Sequence, residues 1–189
     1  MPKKSNKNQV LSVGQLLQHI EDRVESHIQI TIKQFQNLPE EILLRPSATG
    51  GWSIAQCLEH LNSYGDFYLP EISKALQNKN HLPSSKIFRS GWFGAYFIKM
   101  MEPGNGKKMK AFKAHIPPPD LSGAHVVARF LAQQEEMLGY LRKAPTVDLE
   151  KVRIPISISK LIKLKLGHVF QFCTAHDARH IAQAQRNLI

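Results

Sequence analysis

Apolar side chains recur every three or four residues along most of this chain, which is the spacing that one buried face of an α-helix requires. The first such stripe predicts a long amphipathic helix over residues 12–37, with Ser12 as its N-cap and Pro39 just past its end. Its apolar positions are Val13, Leu16, Leu17, Ile20, Val24, Ile28, Ile32 and Phe35. The chain is therefore expected to fold by packing helices against one another.

A second helix is predicted to begin at Ser53, where Gln56 three residues later completes a capping box. Trp52 is placed to pack back onto the first turn of this helix. Pro70 lies inside the apolar stripe, so we expect a kink or a short break there.

Two more helices complete the predicted fold. The third starts near Ser122 and is stopped by Pro145. After a short loop, in which residues 154–158 are read as an extended strap, the fourth runs from about Ser159 to the C-terminus. No strand pattern is convincing and no internal repeat is visible. Four amphipathic helices of this length predict an all-α four-helix bundle.

The connection between the second and third helices, residues 78–121, is the least regular part of the chain. Residues 86–101 are rich in aromatic side chains and predict a short helix or a packed flap. A connection this long in a small domain commonly serves as a lid or a binding loop. We therefore assign Trp92 to substrate binding, with packing in the core as the alternative.

Length and composition limit the class of protein. With 189 residues the chain is expected to form one domain, residues 11–189, after a flexible basic tail at residues 1–10. The net charge of +10 is not arranged as a basic stripe with exposed aromatics, so no specific nucleic-acid binding is expected.

The apolar runs are too short to cross a membrane, and no signal peptide is visible. Two cysteines are too few for a disulfide framework. We expect a cytoplasmic protein.

Three histidines point to chemistry. His176 and His180 are four residues apart, so they share one face of the last helix, and they continue its apolar stripe. His60 lies in the inward stripe of the second helix. Buried unpaired polar groups cost roughly 1–3 kcal/mol each, and one metal ion can satisfy several imidazoles. We predict a divalent metal site with open coordination positions. The alternative is a set of core histidines bonded to backbone or water.

Four residues near these histidines carry side chains of ligand type. Cys57 and Cys173 each precede a histidine by one turn, and we interpret them as small core residues. A disulfide or direct thiolate ligation are the alternatives. Glu59 and Asp177 adjoin the histidines in sequence, which turns them about 100° away on the helix. They are expected at the surface or beside the ligands, and not as ligands.

Polar residues near the end of the chain are candidates for substrate binding. Gln183 is one turn past His180 and is placed to hydrogen-bond a ligand ring or a substrate. Arg179 and Arg186 are placed to bind an anionic cofactor at the rim of the bundle. The alternative is that both arginines only complement the helix dipole at its C-terminal end.

Two segments carry a family resemblance. One runs from Gly51 through the helix start at Ser53 to His60, and the other is the closing HxxxHxxQ pattern of residues 176–183. Together they resemble the DinB/YfiT-like superfamily of metalloenzymes, over about residues 12–189. The resemblance implies a four-helix bundle with up-down-down-up connectivity. It also implies a divalent metal, nickel or zinc, held at His60, His176 and His180.

The same resemblance implies an enzyme that acts on a small molecule. The expected activity is an S-transferase that depends on a low-molecular-weight thiol, or a hydrolase, with a thiolate or water at the open metal position. A non-catalytic metal-binding or dimerising bundle is the alternative. A homodimer is one candidate oligomeric state, because exposed faces of long bundles often pair. A basic nucleic-acid binder is the least favoured interpretation.

Overall fold

The computed structural model describes residues 10–48, 50–78, 85–104 and 110–188, so most of the predicted basic tail lies outside the described residues. The fold is mostly helical, as expected. The helices are α1 Val13–Gln34, α2 Glu40–Leu44, α3 Ile54–Gln77, α4 Trp92–Met101, α5 Gly123–Lys143 and α6 Leu166–Gln185. The strands are β1 Val10–Ser12, β2 Ile87–Arg89, β3 Arg153–Ile156 and β4 Ser159–Lys165.

Four long helices form the body of the molecule. Helix α3 packs against α5 and α6, and α1 packs against the same two helices. Two apolar clusters result, one centred on Leu16, Tyr68 and Phe170 and the other on Leu58 and Phe130. The up-down-down-up order of a four-helix bundle stays a prediction.

Helix α1 is close to its predicted bounds. The Ser12 hydroxyl accepts a hydrogen bond from the backbone N–H of Gln15, which caps the helix as expected. The helix ends at Gln34, three residues before the predicted end. A short helix, α2, follows, which the sequence did not predict.

The carboxylate of Glu40 in α2 accepts hydrogen bonds from the backbone N–H groups of Gly123 and Ala124, at 2.6 and 3.1 Å. Glu40 thereby caps α5, since Ser122 makes no side-chain cap.

Helix α3 begins with the predicted capping box between Ser53 and Gln56. The short break that we considered at Pro70 was wrong, because the helix continues through this residue to Gln77. Pro70 is exposed, so the carbonyl of Asp66 that loses its partner lies on the solvent side of the helix. Water can satisfy that carbonyl, which allows the helix to continue.

The expectation of no strands was wrong. β1 pairs antiparallel with β2, and β3 pairs antiparallel with β4 with an irregularity between Pro155 and Ile156. The predicted start of the last helix near Ser159 was also wrong, since residues 159–165 form β4 and α6 begins at Leu166. Short apolar runs fit both the helical and the extended period, and here the pairing with β3 decides between them.

The aromatic segment before residue 101 forms helix α4, which packs on α6. The ring of His168, at the start of α6, lies against Gly94 and within 3.2 Å of the Ser90 hydroxyl. A Cβ atom at Gly94 would lie 2.1 Å from His168 Nδ1, so only glycine allows this contact. Sequence spacing gave no role to His168.

The described helices include none that combines the length and the apolar character needed to cross a membrane.

Candidate metal centre

The structure brings the three predicted histidines together. His60 extends from α3, and His176 and His180 extend from successive turns of α6. One nitrogen from each ring lies within 4.8 Å of the other two. The Nε2 atoms of His60 and His176 are 3.3 Å apart. The spacing of these residues in the sequence thus leads to one cluster of three imidazoles.

Hydrogen bonds at the far edges of two rings determine which nitrogen faces the cluster. His60 Nδ1 is 2.7 Å from the carbonyl oxygen of His115, and His180 Nδ1 is 3.0 Å from Oε1 of Gln183. Both partners are acceptors, so each Nδ1 carries the proton and donates it. The Nε2 lone pairs are left for the centre of the cluster, which is the arrangement that metal-ligating histidines use.

Burial keeps all three imidazoles neutral. It lowers the pKa of His60 to about 4 and that of His180 to about 3, and it lowers the pKa of His176 well below the usual value. Mutual repulsion between the rings acts in the same direction for His176 and His180. A metal binds the neutral form of imidazole, so at neutral pH these rings need lose no proton to bind one.

The three imidazoles are a donor type that suits a divalent cation, and one pair of their nitrogens has the spacing of a metal site. Four-coordinate zinc bonded to imidazole at about 2.0–2.1 Å holds neighbouring ligand atoms about 3.3–3.4 Å apart. The separation of 3.3 Å between His60 Nε2 and His176 Nε2 matches that value. Imidazole is a ligand common to zinc, nickel, copper and iron, so the donor type alone does not select among them.

Aromatic rings surround the histidines and fix their orientation. The centroid of the Trp52 ring is 4.8 Å from that of His60 and 5.9 Å from that of His180. Tyr64 contacts His176 edge-on at 4.5 Å. Trp52 thus forms a wall of the site, a role beyond the packing onto the first turn that its position before Ser53 suggested.

His115 is a site residue that sequence reasoning missed. Besides its carbonyl contact to His60, its ring stacks on Tyr64 at 3.8 Å, and its Nδ1 is 2.9 Å from the Ser63 hydroxyl. The residue is buried, in the connection between α4 and α5. No spacing rule could have found it, because the connection is irregular and the decisive contact comes from its backbone.

The histidines lie in the wall of a large cleft of roughly 1610 Å³. Arg179 and Gln183 also line this cleft, and Arg179 Nη1 donates a hydrogen bond to the carbonyl of Met100 at 3.1 Å. Trp92 is 75% exposed on α4 and is not among the lining residues. Its assignment to substrate binding stays a prediction that no contact in the cleft supports.

The two cysteines are buried free thiols outside the histidine cluster. Burial raises the pKa of Cys57 to about 12, and it raises that of Cys173 well above the usual value. Neither forms a thiolate readily at neutral pH, which agrees with their interpretation as small core residues.

The two carboxylates beside the ligands have different surroundings. Glu59 is half-buried and pairs with Arg129 at 3.1 Å.

Asp177 is only 8% exposed, so a surface position was wrong for it. It accepts a hydrogen bond from Gln134 Nε2 at 3.1 Å, in a buried layer that also contains His27. Burial raises the pKa of Asp177 to about 7. Asp177 is turned about 100° from His176 around the helix, so it points away from the three histidines and into the bundle interior.

The protein is thus mostly helical and carries a candidate metal centre, three neutral imidazoles in the wall of an open cleft. The chain belongs to the DinB superfamily, whose family model matches residues 23–184. That span contains all three histidines, so the resemblance seen in the sequence is confirmed. No curated protein and no solved structure matches the chain significantly.

Proposed function

We propose that this chain is a metal-dependent enzyme that holds zinc or nickel at His60, His176 and His180 and acts on a small molecule. The proposed activity is an S-transferase dependent on a low-molecular-weight thiol, or a hydrolase. The observation that carries this proposal is the meeting of three neutral imidazole nitrogens within 4.8 Å in the wall of a cleft. A four-helix bundle with up-down-down-up order and a cytoplasmic location are parts of the same proposal.

The number of protein donors favours catalysis over a structural role. Structural zinc sites close the coordination sphere with four protein ligands, whereas catalytic sites use three and keep a position open. Among the described residues no cysteine or carboxylate joins the three histidines. A divalent cation bound here would supply Lewis acidity and lower the pKa of a thiol or of water.

The residues around the histidines supply binding and orientation. Gln183 fixes the tautomer of His180 through its amide oxygen, and its amide nitrogen is proposed as a donor to the substrate. Arg179 contributes a positive charge inside the cleft for an anionic cofactor or substrate. The rings of Trp52 and Tyr64 shield the histidines from bulk water.

A dimerising bundle without turnover is the second candidate. Helix α4 exposes aromatic side chains that are unusual at a free surface, with Trp92 at 75% and Tyr96 at 58% exposure. Such a face would be covered in a homodimer. Sedimentation at several concentrations decides whether the chain self-associates, and substituting Trp92 with Glu would lower any such association.

The test of the proposed reaction is a conjugation and hydrolysis screen. Zinc- and nickel-loaded protein is incubated with low-molecular-weight thiols plus an electrophile, and separately with activated esters. Turnover is expected from the loaded protein and not from a His176→Ala variant. Metal bound at one ion per chain without turnover of any thiol or ester would instead favour the non-catalytic bundle.

A further inference from the structure

We infer that the cleft takes an elongated amphipathic anion, whose acidic group and apolar body lie on opposite sides of the three histidines. The inference rests on the proposed function, because it takes the histidines as the place where the substrate reacts. It adds the chemical class of the substrate and its direction in the cleft.

The two helices that form the cleft run antiparallel, which gives the cleft a measurable axis. Tyr68 of α3 lies beside Phe172 of α6 at 5.8 Å, and His60 lies beside His176 at 5.1 Å. Trp52, just before α3, lies beside His180 at 5.9 Å. The residue number along α6 therefore tells where a residue lies along the cleft, and the histidines lie in the middle of the cleft.

One end of the cleft is cationic. Arg186 follows His180 by six residues, which is about 9 Å along a helix. Arg45 reaches the same end, since its Nη2 donates to the carbonyl of Asn187 at 3.2 Å. Arg179 and Lys110 also line the cleft. Among the described lining residues none is acidic, so the cleft wall attracts an anionic group.

The other end of the cleft is apolar. Phe172 precedes His176 by four residues, about 6 Å along the helix. Tyr68 lies beside Phe172 at 5.8 Å, and Ile158 follows Ser157, which is hydrogen-bonded to Tyr68. Phe97 of α4 also lines the cleft. The Tyr68 hydroxyl accepts a hydrogen bond from the Ser157 N–H at 3.3 Å, so its polar group is used in holding the β3–β4 turn. An alkyl or aryl group fits this end.

The size of the cleft leaves room for a long ligand. Its volume of roughly 1610 Å³ exceeds the range of about 300–1,000 Å³ that is usual for small-molecule pockets. A compact dianion would satisfy the arginines and leave the apolar end empty. An anion with a carboxylate, sulfonate or phosphate about 9 Å from its reacting group, and an apolar body beyond that group, fits both ends.

The test is calorimetric binding of straight-chain alkyl carboxylates of increasing length to the zinc-loaded full chain. Once the chain is long enough to pass the histidines, affinity is expected to rise about fourfold per methylene until the apolar end is filled, because each buried methylene is worth about 0.8 kcal/mol. Alcohols of equal length are expected to bind at least about tenfold more weakly, since they lack the charge. Affinity independent of chain length, or equal binding of the alcohols, would overturn the inference.

Matched variants locate the two ends. The double variant Arg45→Ala/Arg186→Ala is expected to weaken every carboxylate about tenfold with unchanged zinc affinity, while Arg142→Ala, an exposed arginine of α5 paired with Glu21, changes nothing. Ile158→Ser is expected to reduce the gain per methylene. Carboxylates that bind the double variant normally but are lost from His176→Ala would place the acidic group at the histidines and overturn the inferred direction.

This design separates failure of the inference from failure of the proposed function. Arginine-dependent, length-dependent binding by a protein that takes up no zinc would support the substrate class and contradict the metal site. Zinc uptake without length-dependent binding would support the metal site and contradict the substrate class.

Discussion

At the scale of single residues, His60 is oriented by two contacts on opposite edges of its ring. Nδ1 is engaged by the carbonyl oxygen of His115, and Nε2 faces His176. The carbonyl is in turn held in place because the His115 ring is stacked on Tyr64 and bonded to Ser63. The ring of His115 therefore supports a proposed metal ligand and is not itself part of the three-histidine cluster.

The substitution His115→Ala keeps the backbone carbonyl that contacts His60. It removes the ring contacts with Tyr64 and Ser63 that hold this carbonyl in place. We predict that zinc affinity falls about 10–100-fold, the usual cost of losing a group that orients a ligand. The measurement is competition with a chromophoric chelator at neutral pH. His125→Ala, an exposed histidine at the start of α5, is the matched control and is expected to leave zinc affinity unchanged. Equal affinities for wild type and His115→Ala would show that the carbonyl is held by other contacts.

Residue spacing predicted the three histidines and the position of Gln183, but not the contact from His115 that orients His60. His60, His176 and His180 could be predicted because helical spacing fixes which face each residue occupies. Gln183 was also placed correctly beside a ligand ring, since one turn separates it from His180. The contact from His115 joins residues 55 positions apart through a backbone atom, for which no side-chain pattern exists.

At the scale of elements, the docking of α4 on α6 depends on the absence of a side chain at Gly94. His168 occupies the space that a Cβ atom would need, at 2.1 Å from Nδ1. The same ring is within 3.2 Å of the hydroxyl of Ser90. Glycine in a helix costs stability by itself, so its presence here reflects this close approach.

We predict that Gly94→Ala lowers the free energy of unfolding by about 1–3 kcal/mol, because the added methyl forces the His168 ring or α4 to move. Gly139→Ala is the matched control in another helix, where a Cβ meets nothing within 4 Å. It is expected to stabilise by up to about 1 kcal/mol through helix propensity alone. Chemical denaturation of both variants checks the pair, and a Gly94→Ala protein as stable as Gly139→Ala would contradict the docking account.

The elements that sequence predicted well are those with local start signals. The side-chain cap at Ser12 and the capping box at Ser53 placed two helix starts to the residue. The strands were missed because their pairing is tertiary, and three residues of β1 or β2 carry too little pattern to be recognised. Residues 159–165 were assigned to the last helix because their apolar spacing is ambiguous, and only β3 decides their conformation.

At the scale of the whole molecule, a polar layer crosses the bundle between its two apolar clusters. Its members come from three helices, His27 of α1, Gln134 of α5 and Asp177 of α6, and all three are buried. The three clustered histidines lie at the same level, since His176 adjoins Asp177, and they face the cleft. One turn of α6 thus carries His176 toward the cleft and Asp177 toward the bundle interior, and these polar groups lie between the two apolar clusters.

Asp177 makes this layer sensitive to pH. Its pKa is raised by burial from 3.8 to about 7, so the folded protein binds a proton that the unfolded chain has lost between these values. The resulting stability is complete below about pH 4 and is lost as the pH rises through about 7. We predict that the stability advantage of Asp177→Asn, which stays uncharged, over wild type grows by roughly 1–3 kcal/mol between pH 5 and pH 8.

The measurement is chemical denaturation of the metal-free protein at several pH values, since zinc would stabilise the folded state by itself. Glu59→Gln, beside a different ligand and paired with Arg129, serves as the comparison and is not expected to show this gain at high pH. An Asp177→Asn protein whose advantage does not grow between pH 5 and pH 8 would mean that the carboxylate is not held protonated.

We propose that imidazoles from two helices, α3 and α6, jointly bind one divalent ion. The most direct measurement is the zinc stoichiometry and affinity of the wild type beside single alanine variants at His60, His176 and His180, with His125→Ala as control. We predict one ion per chain, a loss of at least about a hundredfold in each of the three variants and no change in the control. Tight zinc binding that survives all three substitutions, or no binding by the wild type, would contradict the account.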